Sequence, residues 1–373
     1  MDEHDTHIEH MSEALALAER GLGHVSPNPM VGAIVVNQAG TVCGRGWYEG
    51  PRGAPHAEVR ALREAGDRAR GATVYCTLEP CDHHGSTPPC TDALIDAGVA
   101  RVVVAAGDPN PLVDGRGSAH LRAAGIQVLE GVLADEAHRR NAAFDRHVTT
   151  GLPFVVWKVA ASLDGKTAAH DGTSQWITSP QARADAHRLR AWADAIVVGA
   201  GTVLADDPLL TVRAPDLADA WQPTRVVVDS GGRVPATAAV FDGAAPTLVA
   251  TTERAPDARI RDWQQAGADV VVVDADVSGG VSPTALVREL GKRDVQGALV
   301  EGGATLAWSF LREGVVDRIV QYIAPVIVAG AAAQGVVAGA GFAPIDRALR
   351  VAFVRVERVG PDLRVEADVH RDH

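Results

Sequence analysis

His56-Ala57-Glu58 opens the decisive stretch of this chain, and Glu79-Pro80-Cys81-Asp82-His83-His84-Gly85-Ser86-Thr87-Pro88-Pro89-Cys90 closes it. The imidazole of His56, the thiols of Cys81 and Cys90 and the carboxylate of Glu58 thus fall within a window of thirty-five residues. Three of them, His56, Cys81 and Cys90, are the ligand types of a zinc site that keeps one coordination position open for water. Structural zinc takes four protein ligands instead. The carboxylate, Glu58, is spaced to move a proton beside that water. His56 follows a proline and precedes a helical pattern, while Cys90 follows Pro88-Pro89 ahead of another. Two helix N-termini are therefore expected at the metal, where their partial positive charge favours thiolate over thiol.

Outward from this window, apolar runs alternate with helical segments. Residues 31–36, 72–77, 101–106 and 126–129 read as strands, and 57–65, 91–97 and 117–124 as helices, each followed by glycine. A helix is also expected over 8–22, on the face made by Ile8, Met11, Leu15 and Leu22. Cys43 and Cys76 lie in strand-like stretches and read as buried packing residues. His4, His7 and His10 read as a solvated, frayed start. A second unit begins near Gly151-Leu152-Pro153, with strands at 154–161, 195–199, 225–229, 246–250, 269–273 and 297–300. Helices at 180–192, 257–266, 282–291 and 304–313 separate most of these, extended segments follow at 317–328 and 350–369, and the Ala/Gly-rich run 329–341 reads as a loop. Both units are α/β, and the first implies a sheet with helices on both faces. The domains are expected at 1–148 and 149–373.

Composition narrows the function classes. The chain has 373 residues and a net charge of −12, and residues 1–150 alone hold 13 arginines, no lysine and 20 acids. A grip on nucleic acid calls for a basic patch, and this balance opposes one. Four cysteines, two of them in a metal-type arrangement, make no disulfide framework. The acidic start MDEHDTHIEH is unlike a signal peptide, and no apolar run approaches a membrane span. A cytoplasmic protein without membrane or nucleic-acid partners is expected.

His-x-Glu followed by Pro-Cys and a further Cys resembles the zinc-dependent nucleobase deaminases. Pro27-Asn28-Pro29-Met30-Val31-Gly32 matches the Asn-Pro-x-Val-Gly segment of the cytidine deaminase-like fold, which implies that Asn28 holds the substrate base. The eight residues between Cys81 and Cys90, with His83, Gly85, Thr87, Pro88 and Pro89, are more discriminating, since tRNA and cytosine deaminases usually have two. They resemble the pyrimidine deaminases of riboflavin biosynthesis, with His83 implied at the substrate. Two positions depart from that family's pattern. Tyr48 stands where a histidine is frequent, and Ser86 where Lys or Arg is frequent near the substrate phosphate.

The second unit resembles the reductase fused to those deaminases, a relative of dihydrofolate reductase. The resemblance is carried in order by Lys158–Lys166, Ser174–Ser179, Arg190, Ala195–Arg213 and Glu301–Leu306. No Gly-x-Gly-x-x-Gly stands near its start, which opposes a Rossmann unit of the usual kind. Gly302-Gly303 before a helix suits a dinucleotide pyrophosphate. The resemblance implies NADPH along Ala160, Trp176, Thr202, Asp206, Ser230 and Gly303, Ala304, Thr305 and Leu306. It also implies substrate at Ser174, Arg190, Leu210, Arg213 and Glu301. The two arginines suit a phosphate, and Lys158 or Glu301 suits proton delivery. Singly, Trp176 could equally be core, Asp206-Asp207 a turn before Pro208, and Arg190 a solvated helix residue.

The fold expected is therefore a cytidine deaminase-like three-layer αβα domain followed by a dihydrofolate reductase-like α/β domain. The function implied is hydrolytic deamination with Zn2+, acting on 2,5-diamino-6-ribosylamino-4(3H)-pyrimidinone 5′-phosphate, with Glu58 as the catalytic residue. NADPH-dependent reduction of the ribosyl chain follows. The partner is a phosphorylated pyrimidine, and a homo-oligomer, dimer or higher, is expected from the apolar strands near 317–328 and 350–356. Two rival readings are a deaminase of another base and a zinc-stabilised binding protein. The cysteine spacing opposes the first. Glu58 opposes the second, because a structural site gains nothing from a His-x-Glu pair.

Overall fold

The computed structural model describes residues 3–50, 53–85, 87–110 and 113–370. Ser86, expected near a phosphate, lies outside them. The chain divides into two compact units, Met1–Gly151 and Leu152–His373.

The first unit runs α1 (Glu3–Ala18), β1 (Gly32–Val36), β2 (Val42–Trp47), α2 (Ala57–Ala65), β3 (Thr73–Leu78), α3 (Cys90–Asp96), β4 (Arg101–Ala106), α4 (Arg116–Ala123), β5 (Gln127–Glu130), α5 (Ala134–Arg140) and α6 (Ala142–Thr150). Its sheet has the order β2-β1-β3-β4-β5, antiparallel at β2-β1-β3 and parallel from β3 onward. Alternation along β1 splits the core into two layers. Ala33 and Val35 pack with Ala57, Ala61 and Leu94, whereas Ile34 and Val36 pack with Met11, Leu15 and Ala137. Helices thus cover both faces, as the alternating pattern implied.

β2 was expected only as a strand-like stretch around Cys43, because Gly44 and Gly46 break its apolar pattern. The helix above explains them. A Cβ on Gly44 would stand 2.1 Å from the Ala61 carbonyl oxygen, and one on Gly46 would stand 2.1 Å from that of Ala57. Glycine lets α2 lie directly on the strand, which sets the depth at which His56 and Glu58 enter the unit. The start of the chain also differs from expectation. α1 begins at Glu3, and His7 is buried with its Nδ1 2.9 Å from the Tyr75 hydroxyl. A partner on β3 draws that histidine inward. Cys43 and Cys76 are both buried.

The second unit runs β6 (Phe154–Ser162), α7 (Pro180–Trp192), β7 (Ala195–Gly199), α8 (Ala200–Asp206), β8 (Thr224–Val228), β9 (Thr247–Thr251), α9 (Asp257–Gln265), β10 (Asp269–Val272), α10 (Pro283–Gly291), β11 (Gly297–Val300), α11 (Ala304–Arg312), β12 (Arg318–Ala324), β13 (Val351–Val359) and β14 (Asp362–Val369). Its nine strands have the order β10-β9-β8-β7-β11-β6-β12-β14-β13. All pairings from β10 to β12 are parallel, and β14 and β13 close the sheet antiparallel. On β6, Val155, Trp157 and Val159 face Leu286 and Phe310, while Val156 faces the opposite layer with Ala182, Val203 and Trp263. Burial on both faces accounts for the near-continuous apolar strands. α8 was not expected, because its seven residues follow β7 with no break between them. No helix among the described residues is long and apolar enough to cross a membrane.

Candidate functional sites

In the first unit, β3, α2 and α3 deliver their ends to one point. His56 is the residue before α2, in extended backbone, and Cys90 is the first residue of α3. Cys81 follows β3 after Glu79-Pro80. The donor atoms of His56, Cys81 and Cys90 all lie within 4.8 Å of one another. His56 Nδ1 is 3.5 Å from the Cys81 Sγ and 3.2 Å from the Cys90 Sγ, while its Nε2 lies 3.3 Å from the Thr87 hydroxyl. One imidazole nitrogen and two sulfurs around a common point are a donor set that fits zinc, with room left for a fourth ligand.

Electrostatics supports that fit. The Cys90 thiol bonding to Cys81, with His56 alongside, holds Cys81 down to about 4. That same bond, with burial, pushes Cys90 well up. Hydrogen bonding to Cys81 raises His56. A thiolate beside two removable protons is ready to exchange those protons for a divalent cation. Glu58, only 3 % exposed in the first turn of α2, has its carboxyl raised by burial and then by Cys81. A carboxyl so raised can hold a proton in transit.

A cavity of about 270 Å³ opens on these groups, lined by Asn28, Tyr48, His56, Glu58, Cys81, His83, Thr87, Asp108, Asn110 and Phe144 among others. The expected residues Asn28 and His83 are therefore both at the site. Tyr48, at the position where a histidine is frequent, is buried, its ring edge-on to His56 with centroids 5.8 Å apart.

Four residues of this unit were not foreseen. Asp108 and Asn110 face the cavity, and burial lifts the Asp108 carboxyl to about 6. Glu79, 4 % exposed, accepts backbone N–H bonds from Asp108 at 3.4 Å, Gly115 at 3.0 Å and Ser118 at 3.0 Å. One carboxylate thereby ties the Cys81 turn to the loop that carries Asp108. Asn141 brackets Met30, accepting from its N–H at 2.8 Å and donating to its carbonyl at 3.0 Å, which holds the Asn28 loop. The only advance signals were Asx-type loop residues and the Glu-Pro step before Cys81.

In the second unit, Glu301 leaves the end of β11 and meets Lys158 of the adjacent β6. Arg190, in the last turn of α7, clasps it from both sides. Arg190 Nε donates to Oε1 at 2.8 Å and Nη2 to Oε2 at 3.0 Å, while Lys158 Nζ stands 3.9 Å from Oε2. Burial pushes the Glu301 carboxyl up, but Arg190 and then Lys158 outweigh it and hold the group at about 2. Burial lowers Lys158. The third Arg190 nitrogen donates to the Thr211 carbonyl at 3.1 Å, so three of the five N–H donors of this guanidinium are bonded within the protein. Arg213 donates to the Thr211 hydroxyl at 2.7 Å and is otherwise exposed, which leaves it donors for an anion. His187 was missed. Its Nδ1 accepts the Arg213 backbone N–H at 3.2 Å, and burial, then Arg190 and Arg213, lower it to about 4.

The residues expected along a dinucleotide stand mainly at the carboxyl ends of parallel strands, where open α/β sheets bind ligands. The Thr202 hydroxyl accepts the Gly303 N–H at 3.1 Å and so joins the start of α8 to that of α11. Gly303 caps α11 without a side-chain bond, which leaves the amides of Ala304, Thr305 and Leu306 at an open helix start. Ala160 is half-buried on β6, and Ser230 follows β8 with its Oγ accepting the Val281 N–H at 2.9 Å. Trp176 is 68 % exposed with the Arg183 guanidinium 4.4 Å above its ring, so it is not a core residue. Asp206 is exposed at the end of α8, and Asp207 turns the chain at φ 39°. Leu210 is buried. Ser174 is half-buried in the loop before α7, with no hydrogen bond to Glu301, Arg190 or Arg213 among the described residues.

Comparison with known proteins reaches both units. Residues 4–106 match the cytidine and deoxycytidylate deaminase zinc-binding region, and residues 153–365 match the RibD C-terminal domain. The riboflavin biosynthesis protein RibD of Escherichia coli is 43 % identical over 364 residues, 95 % of this chain and 97 % of its own. Its Mycobacterium tuberculosis H37Rv counterpart is 44 % identical over 363 residues, 95 % and 96 % of the two chains. Among solved structures, Acinetobacter baumannii RibD superposes with a TM-score of 0.86 at 38 % identity, covering 99 % of this chain and all of that one. A Thermotoga maritima diaminohydroxyphosphoribosylaminopyrimidine deaminase/5-amino-6-(5-phosphoribosylamino)uracil reductase gives 0.85 at 36 % identity, with 99 % and 100 % covered.

Proposed function

The chain belongs to the RibD family, the bifunctional deaminase–reductases of riboflavin biosynthesis, and on that footing we propose its substrate, its reductant and the side chains that serve each step. It has a zinc-binding deaminase domain and a reductase domain of a kind that implies a nicotinamide cofactor. The substrate we assign is 2,5-diamino-6-ribosylamino-4(3H)-pyrimidinone 5′-phosphate. Its 2-amino group leaves as ammonia in the first domain, and its ribosyl group is reduced to ribityl by NADPH in the second. The product is 5-amino-6-ribitylaminouracil 5′-phosphate.

His56, Cys81 and Cys90 would hold the zinc, which when bound supplies Lewis-acid activation of a water. Glu58 does the proton work. Its carboxylate takes a proton from the attacking water and gives it to the ring nitrogen, then carries the proton of the added hydroxyl to the departing amine. Burial that raises this carboxyl brings it nearer the neutral range where such transfers run best. Asn28 and His83 orient the base within the cavity.

In the reductase domain NADPH would lie along Ala160, Trp176, Thr202, Asp206, Ser230 and Gly303–Leu306, supplying hydride to the sugar C1′ in its open-chain or imine form. Glu301, held ionised by Arg190, is the poorer proton donor. Lys158 carries the proton and is lowered toward release by burial, so we assign it the delivery. Ser174, Leu210 and Arg213 would hold the substrate, with Arg213 on its phosphate. Arg190 contributes by fixing Glu301. The exposed apolar residues Phe353 and Val356 on the edge strand β13 support assembly with a like chain, which light scattering would test.

The observation that carries this reading is the meeting of His56, Cys81 and Cys90 within 4.8 Å, across an eight-residue cysteine gap and beside the buried Glu58. The test supplies the diaminopyrimidine phosphate with and without NADPH and follows ammonia and NADPH absorbance together. Ammonia in both reactions, with NADPH oxidised one for one in the second, is the expected result. No ammonia from this substrate would refute the assignment.

A further inference from the structure

Tyr48 touches both the metal end and the base end of the deaminase cavity. It is 5 % exposed, yet it lines that cavity. Its backbone N–H donates to the Val31 carbonyl at 2.9 Å, which seats it against the Asn28 loop. Its ring stands at 89° to that of His56, and its hydroxyl accepts from Asn28 Nδ2 at 3.1 Å. The Asn28 amide has one donor end and one acceptor end. With Nδ2 turned to Tyr48, Oδ1 is the end left without a partner among the described residues. Asn28 lines the same cavity, so an acceptor there suits the N–H edge of a pyrimidinone ring.

We propose that Tyr48 is a positioning residue for deamination, whose hydroxyl sets the Asn28 amide with its oxygen toward the base while its ring edge braces His56. The proposal rests on reading this cavity as the base site. It assigns the tyrosine at this position to base orientation, and it places no phosphate contact on it.

Tyr48→Phe keeps the ring against His56 and deletes only the hydroxyl oxygen. In the full-length zinc-loaded protein, KM for the diaminopyrimidine phosphate in ammonia release should rise about three- to ten-fold, the value of one neutral hydrogen bond. The kcat should change by less than about two-fold, with zinc content and melting temperature as in the unmodified protein. In an Asn28→Ala background the same substitution should add nothing to KM, because the tyrosine acts through that amide. A KM unchanged by Tyr48→Phe, or an equal rise in the Asn28→Ala background, would overturn the proposal. So would loss of zinc or a lowered melting temperature, which would make the hydroxyl structural. Failure of the unmodified protein to release ammonia is a separate outcome and refutes the substrate assignment instead.

Discussion

Arg190 meets Glu301 side-on, its Nε and Nη2 against the two carboxylate oxygens at 2.8 and 3.0 Å, in a pocket where both side chains are nearly buried. The arrangement orders the reductase site. A lone buried carboxylate would take up a proton, whereas this one is held at about 2 and stays charged beside Lys158. Arg190→Lys supplies one ammonium where a planar fork is needed. Reduction should fall about 10- to 100-fold, since one charge-assisted hydrogen bond, worth about 1.5–3 kcal/mol, is lost from the pair that fixes Glu301. Ammonia release, carried by the other domain, should stay within about two-fold. Equal loss of both activities would show unfolding in place of a local role.

His187 ties a pH response to the same cluster. Its Nδ1 can accept the Arg213 N–H only while unprotonated, and its pKa is lowered to about 4 from an ordinary value near 6.5. The unfolded chain therefore binds more protons than the folded one between about pH 6.5 and pH 4. By linkage, stability is complete above the upper value and falls as pH drops through that window. The ring is half-exposed, so solvent screening makes the loss small. His187→Asn keeps an acceptor near Nδ1 but does not titrate. Its urea midpoint should decline less between pH 6.5 and 4 than that of the unmodified chain, and parallel declines would exclude His187 as the source.

The parts legible in the sequence share a physical property, which is that their signal is local. Helix 57–65 was readable from its period and its closing glycine, and the cluster of His56, Cys81 and Cys90 from three short motifs that each stand at an element boundary. The parallel strands of the second unit were readable because burial on both faces makes them continuous apolar runs. What escaped was set by distant partners. Gly44 and Gly46 obscure β2, and only the helix lying over them explains their presence. Glu79 acts on N–H groups as far as Ser118, and Asn141 acts on Met30, 111 residues away. His7 was misread because Tyr75, its partner, lies on another element. For the reductase site, Lys158 and Glu301 could be paired only through resemblance, since nothing local joins positions on two adjacent strands so far apart in the chain.

Glu58 separates metal binding from proton transfer. It is not among the three clustered donors, so Glu58→Gln should leave zinc content unchanged. The amide cannot take and return a proton, and ammonia release should fall by about 10²- to 10⁴-fold. Given the deaminated intermediate, the same variant should oxidise NADPH at the unmodified rate. Retained ammonia release with zinc still bound would sink the catalytic role.

Glu79 is a structural counterpart within the same domain. Glu79→Ala would strand three backbone N–H groups, two of them bonded at 3.0 Å, at the junction of the Cys81 turn and the start of α4. Bonds to a charged acceptor are worth about 1.5–3 kcal/mol each, and partial rescue by water would leave a net loss of about 3 kcal/mol. The deaminase unit should therefore melt several degrees lower, and zinc should be lost to a chelator faster. An unchanged melting temperature would mean that the loop holding Asp108 does not depend on this carboxylate.

Thr87 gives the eight-residue cysteine gap a physical use. His56 Nδ1 faces both sulfurs, and with a metal on that nitrogen Nε2 would carry the hydrogen and donate to the Thr87 hydroxyl, 3.3 Å away. Such outer partners fix the tautomer and orientation of a metal-binding imidazole, and their loss typically weakens metal affinity by about 10- to 100-fold. A gap of only two residues would have no residue at this position to reach behind His56. Thr87→Val keeps the side-chain shape and removes the acceptor, so zinc affinity measured by chelator competition should fall by at least about ten-fold. Thr87→Ser restores an oxygen and should recover most of it. If Val and Ser variants held zinc equally well, the hydroxyl would not be what orients His56, and the length of the insert would need another cause.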